Sequence, residues 1–110
     1  MFTREIKKGS MELLVLSLLE ERARHGYEVG KLIETRSGGR LTYSLPSLYP
    51  SLLRLEARGL IKGRWVEKAG ERRRCFYRLT RAGRQVLKRH KQEWADHVDA
   101  IRLVLEGDHA

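Results

Sequence analysis

A shortage of cysteine limits what can hold this protein together, because the sequence contains only one, Cys75. A single cysteine cannot form an intramolecular disulfide, and the usual zinc sites need clustered cysteine and histidine residues that this sequence lacks. We therefore expect no metal site and no cofactor. Two interpretations of Cys75 remain open: a small residue within a strand, or a redox-sensing thiol influenced by neighbouring arginines.

Long apolar runs are also missing from the sequence. None reaches the roughly 18 residues that a membrane-spanning helix needs. The apolar stretch Leu13–Leu19 lies between charged segments and predicts a buried helix, and no signal-like sequence follows the charged residues 1–8. We expect a soluble protein with a cytoplasmic location and no membrane partner.

Signs of catalytic chemistry are scarce as well. The four histidines do not cluster along the chain, and the carboxylates are spread over the surfaces of the predicted helices. No glycine-rich loop of the kind that cradles a phosphate occurs. We therefore expect the protein not to be an enzyme.

The sequence does have a large excess of positive charge, and that excess is concentrated in one segment. The formal net charge of the whole chain is +9. Residues 62–91 contain twelve basic and two acidic residues, whereas residues 92–110 contain one basic and five acidic residues. A localised basic segment is typical of a protein that binds a polyanion. Charge alone does not distinguish DNA from RNA or an anionic membrane surface.

Apolar spacing and capping residues predict four helices and one hairpin. The predicted helices are about Met11–Arg24, Tyr27–Arg36, Pro46–Arg58 and Arg81–Leu105. The predicted N-caps are Ser10 for the first helix, Ser44 for the third and Thr80 for the last. Two alternating segments, Leu60–Glu67 and Arg74–Leu79, predict the strands of a hairpin whose turn has a strongly basic tip.

Three helices, a basic hairpin and a last helix are the element order of a winged helix-turn-helix, in which the third helix enters the major groove of DNA. We predict a mostly α fold with a small β-hairpin, the wing, and a long C-terminal dimerisation helix. The predicted limits are residues 1–84 for the DNA-binding domain and residues 85–110 for the dimerisation helix.

Several strings along the chain resemble the signature of one family of regulators. They are Lys8–Leu13, Val15–Leu19, His25–Val29, Leu48–Leu52, Leu55–Ile61, Arg72–Arg74, Tyr77–Thr80 and Ala82–Gly83. In this order and spacing, they are similar to the PadR family of transcriptional regulators from about residue 7 to 90. The strings His25-Gly26-Tyr27-Glu28 and Leu48-Tyr49-Pro50 discriminate best, because other winged-helix regulators share the wing and the Leu-Thr ending.

The resemblance implies a DNA-binding repressor, with two departures from the family pattern. Pro46-Ser47 stands directly before Leu48, whereas the family usually has a glycine two residues before the Leu-Tyr-Pro string, at the position of Pro46. The chain also has one C-terminal helix instead of a larger helical domain, so it resembles the short subgroup, and the phenolic-acid response of longer members does not transfer.

The predicted DNA contacts come from the second and third helices and from the wing. On the third helix, Leu48, Leu52 and Leu55 form the buried stripe, which leaves other side chains facing outward. The predicted DNA-binding residues are Tyr27, Ser47, Tyr49, Ser51, Arg54, Lys68, Arg72, Arg73 and Arg74. We expect Arg72–Arg74 to alternate faces on a strand, with one or two of them on the DNA backbone or in the minor groove. His25 is interpreted as helix-end structure and not as a titrating switch.

The last helix has a broad apolar seam that predicts a partner helix from a second subunit. The predicted interface residues are Leu87, His90, Trp94, His97, Val98, Ile101 and Leu105. A homodimer with two-fold symmetry would read an inverted repeat in double-stranded DNA. Two interpretations of Trp94 are open: an anchor of the interface or, by resemblance to short PadR-like regulators, one wall of a pocket for a planar small-molecule effector.

Two other functions fit the same element order. An RNA-binding or ribosome-associated winged-helix protein would use the basic wing on an RNA backbone, although the sequence has few exposed aromatics for base stacking. A protein-binding module that has lost specific DNA contact is the third possibility. Competition between duplex DNA and RNA distinguishes these functions.

Overall fold

The winged helix-turn-helix order is present in the structure, a computed structural model that describes residues 4–107 and the side chains of residues 9–107. The elements are α1 (Arg4–Glu21), β1 (Arg24–His25), α2 (Gly26–Arg36), α3 (Leu45–Ala57), β2 (Ile61–Val66), β3 (Arg74–Leu79) and α4 (Arg81–Glu106). The predicted mostly α fold with a β-hairpin wing and a long C-terminal helix is therefore confirmed. The predicted limits 1–84 and 85–110 also include residues 1–3 and 108–110, which lie outside the described residues.

The helix α1 begins earlier than the sequence predicts. It starts at Arg4, so Ser10 lies inside the helix and the prediction of Ser10 as an N-cap is wrong. The residue types of positions 4–8 include good helix formers, and extending an existing helix costs far less than starting one. The helix therefore continues through Gly9 and Ser10.

Side chains cap the other helices where local sequence signals place them. Ser44 Oγ accepts a hydrogen bond from the backbone N–H of Ser47 at 3.3 Å, and Thr80 Oγ1 accepts one from Gly83 at 3.0 Å. Both predicted caps are confirmed. At α2 the cap is His25, whose Nδ1 accepts from the backbone N–H of Glu28 at 3.2 Å. The interpretation of His25 as helix-end structure is thereby confirmed.

The sheet contains three antiparallel strands in the order β1-β3-β2, where the sequence predicted only the β2–β3 hairpin. In the hairpin, Ile61 lies opposite Leu79 and Val66 lies opposite Arg74. The added strand β1 has only two residues, and its Arg24 pairs with Tyr77 of β3. Two residues are too short to show an alternating pattern, so only this pairing reveals the strand.

One apolar core joins the helix-turn-helix to the hairpin and to the first part of α4. Its fully buried side chains come from every helix and from β2; the largest are Leu16, Leu19, Leu48, Leu52, Leu55, Ile61 and Leu87. Leu87, predicted at a dimer interface, instead has no exposed surface in this single chain. The reason is that the first part of α4 packs against α1 and the hairpin within one subunit, whereas the last turns of the helix are exposed.

A buried arginine links α1 to the start of α2. Arg24 is 5% exposed, donates from Nε to the carbonyl oxygen of Leu18 at 3.1 Å, and pairs with Glu21 at 2.7 Å and Glu28 at 2.9 Å. The guanidinium groups of Arg36 and Arg24 lower the pKa of Glu21 to about 2. This charge network fixes the position of α2 relative to α1.

Among the described helices, none is both long enough and apolar enough to span a membrane.

Candidate nucleic-acid interface

The helix α3 has a buried face and an exposed face along its whole length. Leu48, Leu52 and Leu55 are buried, as predicted from their spacing. Among the predicted contact residues, Ser47 is exposed, Tyr49 is 44% exposed and Arg54 is exposed. The exposed face of α3 therefore presents these three side chains to a partner.

Ser51 is placed differently from the sequence expectation. Its side chain is only 9% exposed, and its hydroxyl donates to Met11 Sδ of α1 at 2.8 Å. Arg54 donates from Nη2 to the same hydroxyl at 3.0 Å. Ser51 lies at the edge of the buried stripe, where the approach of α1 covers it, so the prediction that it faces outward is corrected.

The rings of Tyr27 and Tyr49 lie near the junction of β1 and α2. Tyr27 is 56% exposed, and its ring stacks near that of His25 with centroids 6.4 Å apart. Tyr49 packs against Gly26, because a Cβ at that glycine would lie 3.0 Å from Cε1 of the tyrosine ring. A side chain at position 26 would therefore crowd the ring of Tyr49, and both tyrosines keep exposed surface.

The wing loop between β2 and β3 carries most of the predicted backbone contacts. Lys68, Arg72 and Arg73 are exposed in this loop, and Arg74 is the first residue of β3. The expected alternation of three arginines on a strand is therefore corrected, since only Arg74 belongs to the strand. The guanidinium carbon of Arg73 lies 4.7 Å from the ring centroid of Trp65, a cation–π geometry that restricts where this charge can go.

Arg74, the first residue of β3, contacts His25 at the start of α2. Its Nη1 lies 2.9 Å from His25 Nε2, and the imidazole also meets the ring of Phe76 edge-on with centroids 5.1 Å apart. Burial and the charge of Arg74 lower the pKa of His25 from its ordinary value of 6.5. The contacts of this imidazole with Arg74 and Phe76 join the wing strand to the start of α2.

The surface on α3 and the wing has the chemistry of a polyanion site. The wing and the first turns of α4 contain the segment with twelve basic and two acidic residues. Exposed guanidinium and hydroxyl groups are the usual partners of phosphate oxygens. Within residues 4–107, no group of three or more histidine, cysteine or carboxylate side chains is placed to hold a metal ion.

A separate groove of about 370 Å³ lies between α1 and the middle of α4. Its lining residues are Gly9, Leu13, His90, Glu93, Trp94 and His97. His90 Nε2 lies 3.0 Å from Glu12 Oε1 and so ties α4 to α1, while Trp94 keeps 44% of its surface exposed. Three of the predicted interface residues, His90, Trp94 and His97, thus share one groove.

Beyond this groove, α4 exposes apolar side chains. Ile101 is 45% exposed, Leu103 is 65% exposed, and Leu105 is 74% exposed, whereas Val98 is half-buried. Exposed apolar side chains that run together on one helix indicate a surface that a partner covers.

Sequence reasoning missed two exposed apolar residues at the nucleic-acid face. Trp65 is 59% exposed in the wing, and Leu53 is 61% exposed on α3. The signal for Leu53 was available, because its position on the helical wheel is opposite to the buried leucine stripe.

Comparison with known proteins gives a consistent assignment. A family model described as the transcriptional regulator PadR-like family matches residues 15–89. A solved structure of a transcriptional regulator from Clostridium thermocellum superposes with a TM-score of 0.85 at 29% identity, over 93% of this chain and 96% of that chain. A PadR family transcriptional regulator from Eggerthella lenta superposes with a TM-score of 0.83 at 31% identity, over 94% of this chain and 88% of that chain.

A curated relative carries a similar description. The transcriptional regulator YqjI of Escherichia coli is 33% identical over 85 residues, which are 77% of this chain and 39% of that protein. The similarity therefore reaches most of this chain but less than half of the Escherichia coli regulator.

Proposed function

The chain belongs to the PadR-like family of transcriptional regulators, and we propose that it is a homodimeric repressor whose two subunits read an inverted-repeat operator. Family membership makes it a DNA-binding regulator and not an enzyme. In the proposal, residues 1–84 bind DNA and residues 85–110 join the subunits.

The observation that carries this proposal is the arrangement of charge beside α3. The exposed arginines of the wing follow strand β2, which packs against α3, and the exposed face of α3 is itself almost neutral. Phosphate contacts hold a protein on the duplex without selecting sequence, whereas base edges are read in the grooves. We assign the contacts with the phosphate backbone of DNA to Lys68 and Arg72–Arg74, and the contacts with base edges to α3.

On α3 and α2, the proposed contacts are polar side chains with exposed surface. Ser47 and Arg54 lie toward one edge of the exposed face, while Tyr49 and Tyr27 lie near the start of α2. Hydroxyl groups of tyrosine and serine donate to phosphate oxygens, and an arginine donates to a phosphate or to guanine. Ser51 has no part in this assignment because α1 covers it.

The salt dependence of binding tests the assignment of the wing. Replacing Arg72, Arg73 and Arg74 by Gln should weaken binding to all duplexes and reduce the slope of log K against log salt by about 0.9 for each phosphate that is no longer neutralised. Arg102→Gln, which removes one charge from the acidic end of α4, should leave the slope unchanged. Anisotropy titrations with duplex DNA and with RNA measure both, and an unchanged slope in the triple variant would refute the wing assignment.

The proposed dimer rests on the exposed apolar side chains at the end of α4. Ile101 and Leu105 lie one turn apart and keep 45% and 74% of their surface exposed. Helices with such a face associate through it, because burying apolar surface is favourable. A two-fold axis through this pair would place two α3 helices for an inverted repeat.

Sedimentation tests this dimer. The double variant Ile101→Asp, Leu105→Asp should sediment as a monomer at concentrations where the unchanged protein is a dimer, and Arg102→Gln should remain dimeric. A double variant that stays dimeric would contradict the assignment of α4. The monomer should also bind a single half-site about as well as before and lose the additional affinity for two half-sites.

A ligand-controlled release is the last part of the proposal. Trp94 lies in a groove of about 370 Å³, which is within the size range of small-molecule pockets, and a partner's α4 over it would close the open side. A planar compound stacked on the indole would alter the packing of the dimer helices, which would lower the affinity for DNA.

Tryptophan fluorescence tests the pocket. The chain contains two tryptophans, so a Trp65→Phe background leaves Trp94 as the only reporter. Acridine orange and riboflavin are suitable planar probes, and binding should quench the emission of Trp94 in a saturable way. A Trp94→Ala variant that keeps the probe affinity, measured by the probe's own fluorescence, would exclude the pocket and leave Trp94 as an interface anchor.

A further inference from the structure

The outermost stripe of α3 has no polar side chain. Pro46, Pro50, Leu53 and Ala57 recur at i, i+4, i+7 and i+11, so they share one face of the helix. All four are exposed, and Leu53 is the largest of them with 61% of its surface accessible. This stripe lies directly opposite the buried face of Leu48, Leu52 and Leu55.

The polar residues of α3 lie to the sides of this apolar stripe. Arg54 is tied to the edge of the helix because its Nη2 donates to Ser51 Oγ at 3.0 Å. Ser47 lies on the same side, and its backbone N–H donates to Ser44 Oγ at 3.3 Å. Tyr49 lies on the other side, where its ring packs against Gly26. The side chains at the centre of the exposed face of α3 therefore offer neither a donor nor an acceptor for hydrogen bonds.

A second protein copy does not fit this stripe well. A stable interface buries about 800 Å² on each partner, whereas the stripe has one large apolar side chain, two prolines and one alanine. The positive wing beside it favours a polyanion as the occupant. In the major groove of DNA, the apolar group that a base pair presents is the C5-methyl group of thymine.

We infer that Leu53, supported by Pro50, is a specificity-determining residue that selects thymine by contact with its C5-methyl group. This inference rests on the proposed function, since it needs α3 in the major groove. The N-terminal part of a recognition helix comes closest to the base edges, which favours Pro46 and Pro50. Leu53 is the ninth of the thirteen residues of α3 but has the longest side chain of the stripe, so it extends furthest from the helix axis. Each buried methyl group contributes roughly 0.8 kcal/mol, or about fourfold in affinity.

The experiment starts from duplexes that the protein itself selects from a randomised 30-base-pair library. The selected duplex is then synthesised with deoxyuridine in place of individual thymidines, which removes the methyl group and keeps Watson–Crick pairing. The unchanged protein should lose about fourfold in affinity for each contacted methyl group that is removed. Leu53→Ala should bind the thymidine duplex more weakly and should show a thymidine-to-uridine ratio near one.

Two further variants make the result specific. Arg73→Gln should weaken binding to the thymidine and uridine duplexes equally and leave their ratio unchanged, because a backbone contact carries no base information. Leu53→Gln, with a donor and an acceptor, should shift the selected base at the affected position from thymine toward adenine. Because Leu53 is exposed, both of its variants should unfold at the same urea concentration as the unchanged protein.

The outcomes separate this inference from the proposed function. If the protein selects a duplex but binds its uridine form equally well, or if Leu53→Ala keeps the ratio of the unchanged protein, the thymine contact is refuted and the repressor proposal stands. A change of oligomeric state in Leu53→Ala would refute it in favour of a second copy on the stripe. If no duplex is selected at all, both the inference and the proposed function fail.

Discussion

Gly83→Ala should destabilise this protein, although alanine is the better helix former. Gly83 lies in the first turn of α4, which passes close to Leu60, the residue before β2. A Cβ at this position would lie 2.1 Å from the carbonyl oxygen of Leu60 and 2.6 Å from Cδ1 of Leu79. Because normal contacts are about 3.5 Å, the start of α4 would have to move by roughly 1.4 Å.

The expected loss follows from what holds the Leu60 carbonyl in place. This oxygen accepts from the backbone N–H of Thr80 at 3.1 Å and from Thr80 Oγ1 at 3.0 Å. Relieving the clash therefore weakens hydrogen bonds worth about 1 kcal/mol each, in addition to about 1–3 kcal/mol for overpacking. The gain in helix propensity offsets up to about 1 kcal/mol. We expect a net loss of about 2 kcal/mol in the free energy of unfolding.

Urea unfolding followed by circular dichroism measures this loss, at one fixed protein concentration because a dimer is stabilised by mass action. Gly30→Ala in the middle of α2 is the matched control. Its new Cβ would lie 3.6 Å from Leu48 Cδ2, an ordinary contact, so this variant should gain about 0.5–1 kcal/mol. A Gly83→Ala variant as stable as the Gly30→Ala variant would refute the packing of α4 on the hairpin.

Three further predictions concern the network around α2 and the cap of α4. Arg24→Met should lower the free energy of unfolding in urea by about 2–3 kcal/mol, because two carboxylates lose a buried partner. Arg22→Met, which removes an exposed ion pair, should lower it by less than about 0.5 kcal/mol. Equal losses in the two variants would contradict the role of burial. The folded state lowers the pKa of His25, so its contribution to stability is complete above pH 6.5 and is lost as pH falls from 6.5 toward the lower folded pKa. A His25→Gln variant should lack this part of the pH dependence, and an identical profile would refute it. Thr80→Ala should lower the free energy of unfolding by about 1 kcal/mol and Thr80→Ser should restore it, whereas no change would show that the cap contributes nothing.

The sequence predicts those parts of the site that depend on the charge of one segment or on the spacing of side chains along one helix. The basic wing follows from charge counting, and exposed Arg54 and Tyr49 follow from their distance from the leucine stripe of α3. The burial of Ser51 could not be predicted from the sequence, because it depends on Met11, which is 40 residues away in the chain. Leu53 was missed for a different reason: polar side chains are the usual readers of base edges, whereas the helical wheel alone places this leucine outward.

The sequence alone determined the features of this protein that local physics controls. Ser44 and Thr80 cap their helices because each side chain reaches a backbone N–H three residues ahead. The hairpin and the stripe of α3 follow from side-chain periods of two and 3.6 residues.

The tertiary structure decided everything that depends on which surfaces meet. The two residues of β1 form a strand only because β3 supplies the hydrogen-bond partners. The seam of α4 is apolar from Leu87 to Leu105, yet Leu87 is buried within one subunit and Leu105 is exposed. A helical repeat shows that a face needs burial but not which partner buries it, since burial is a non-directional interaction that any apolar surface satisfies.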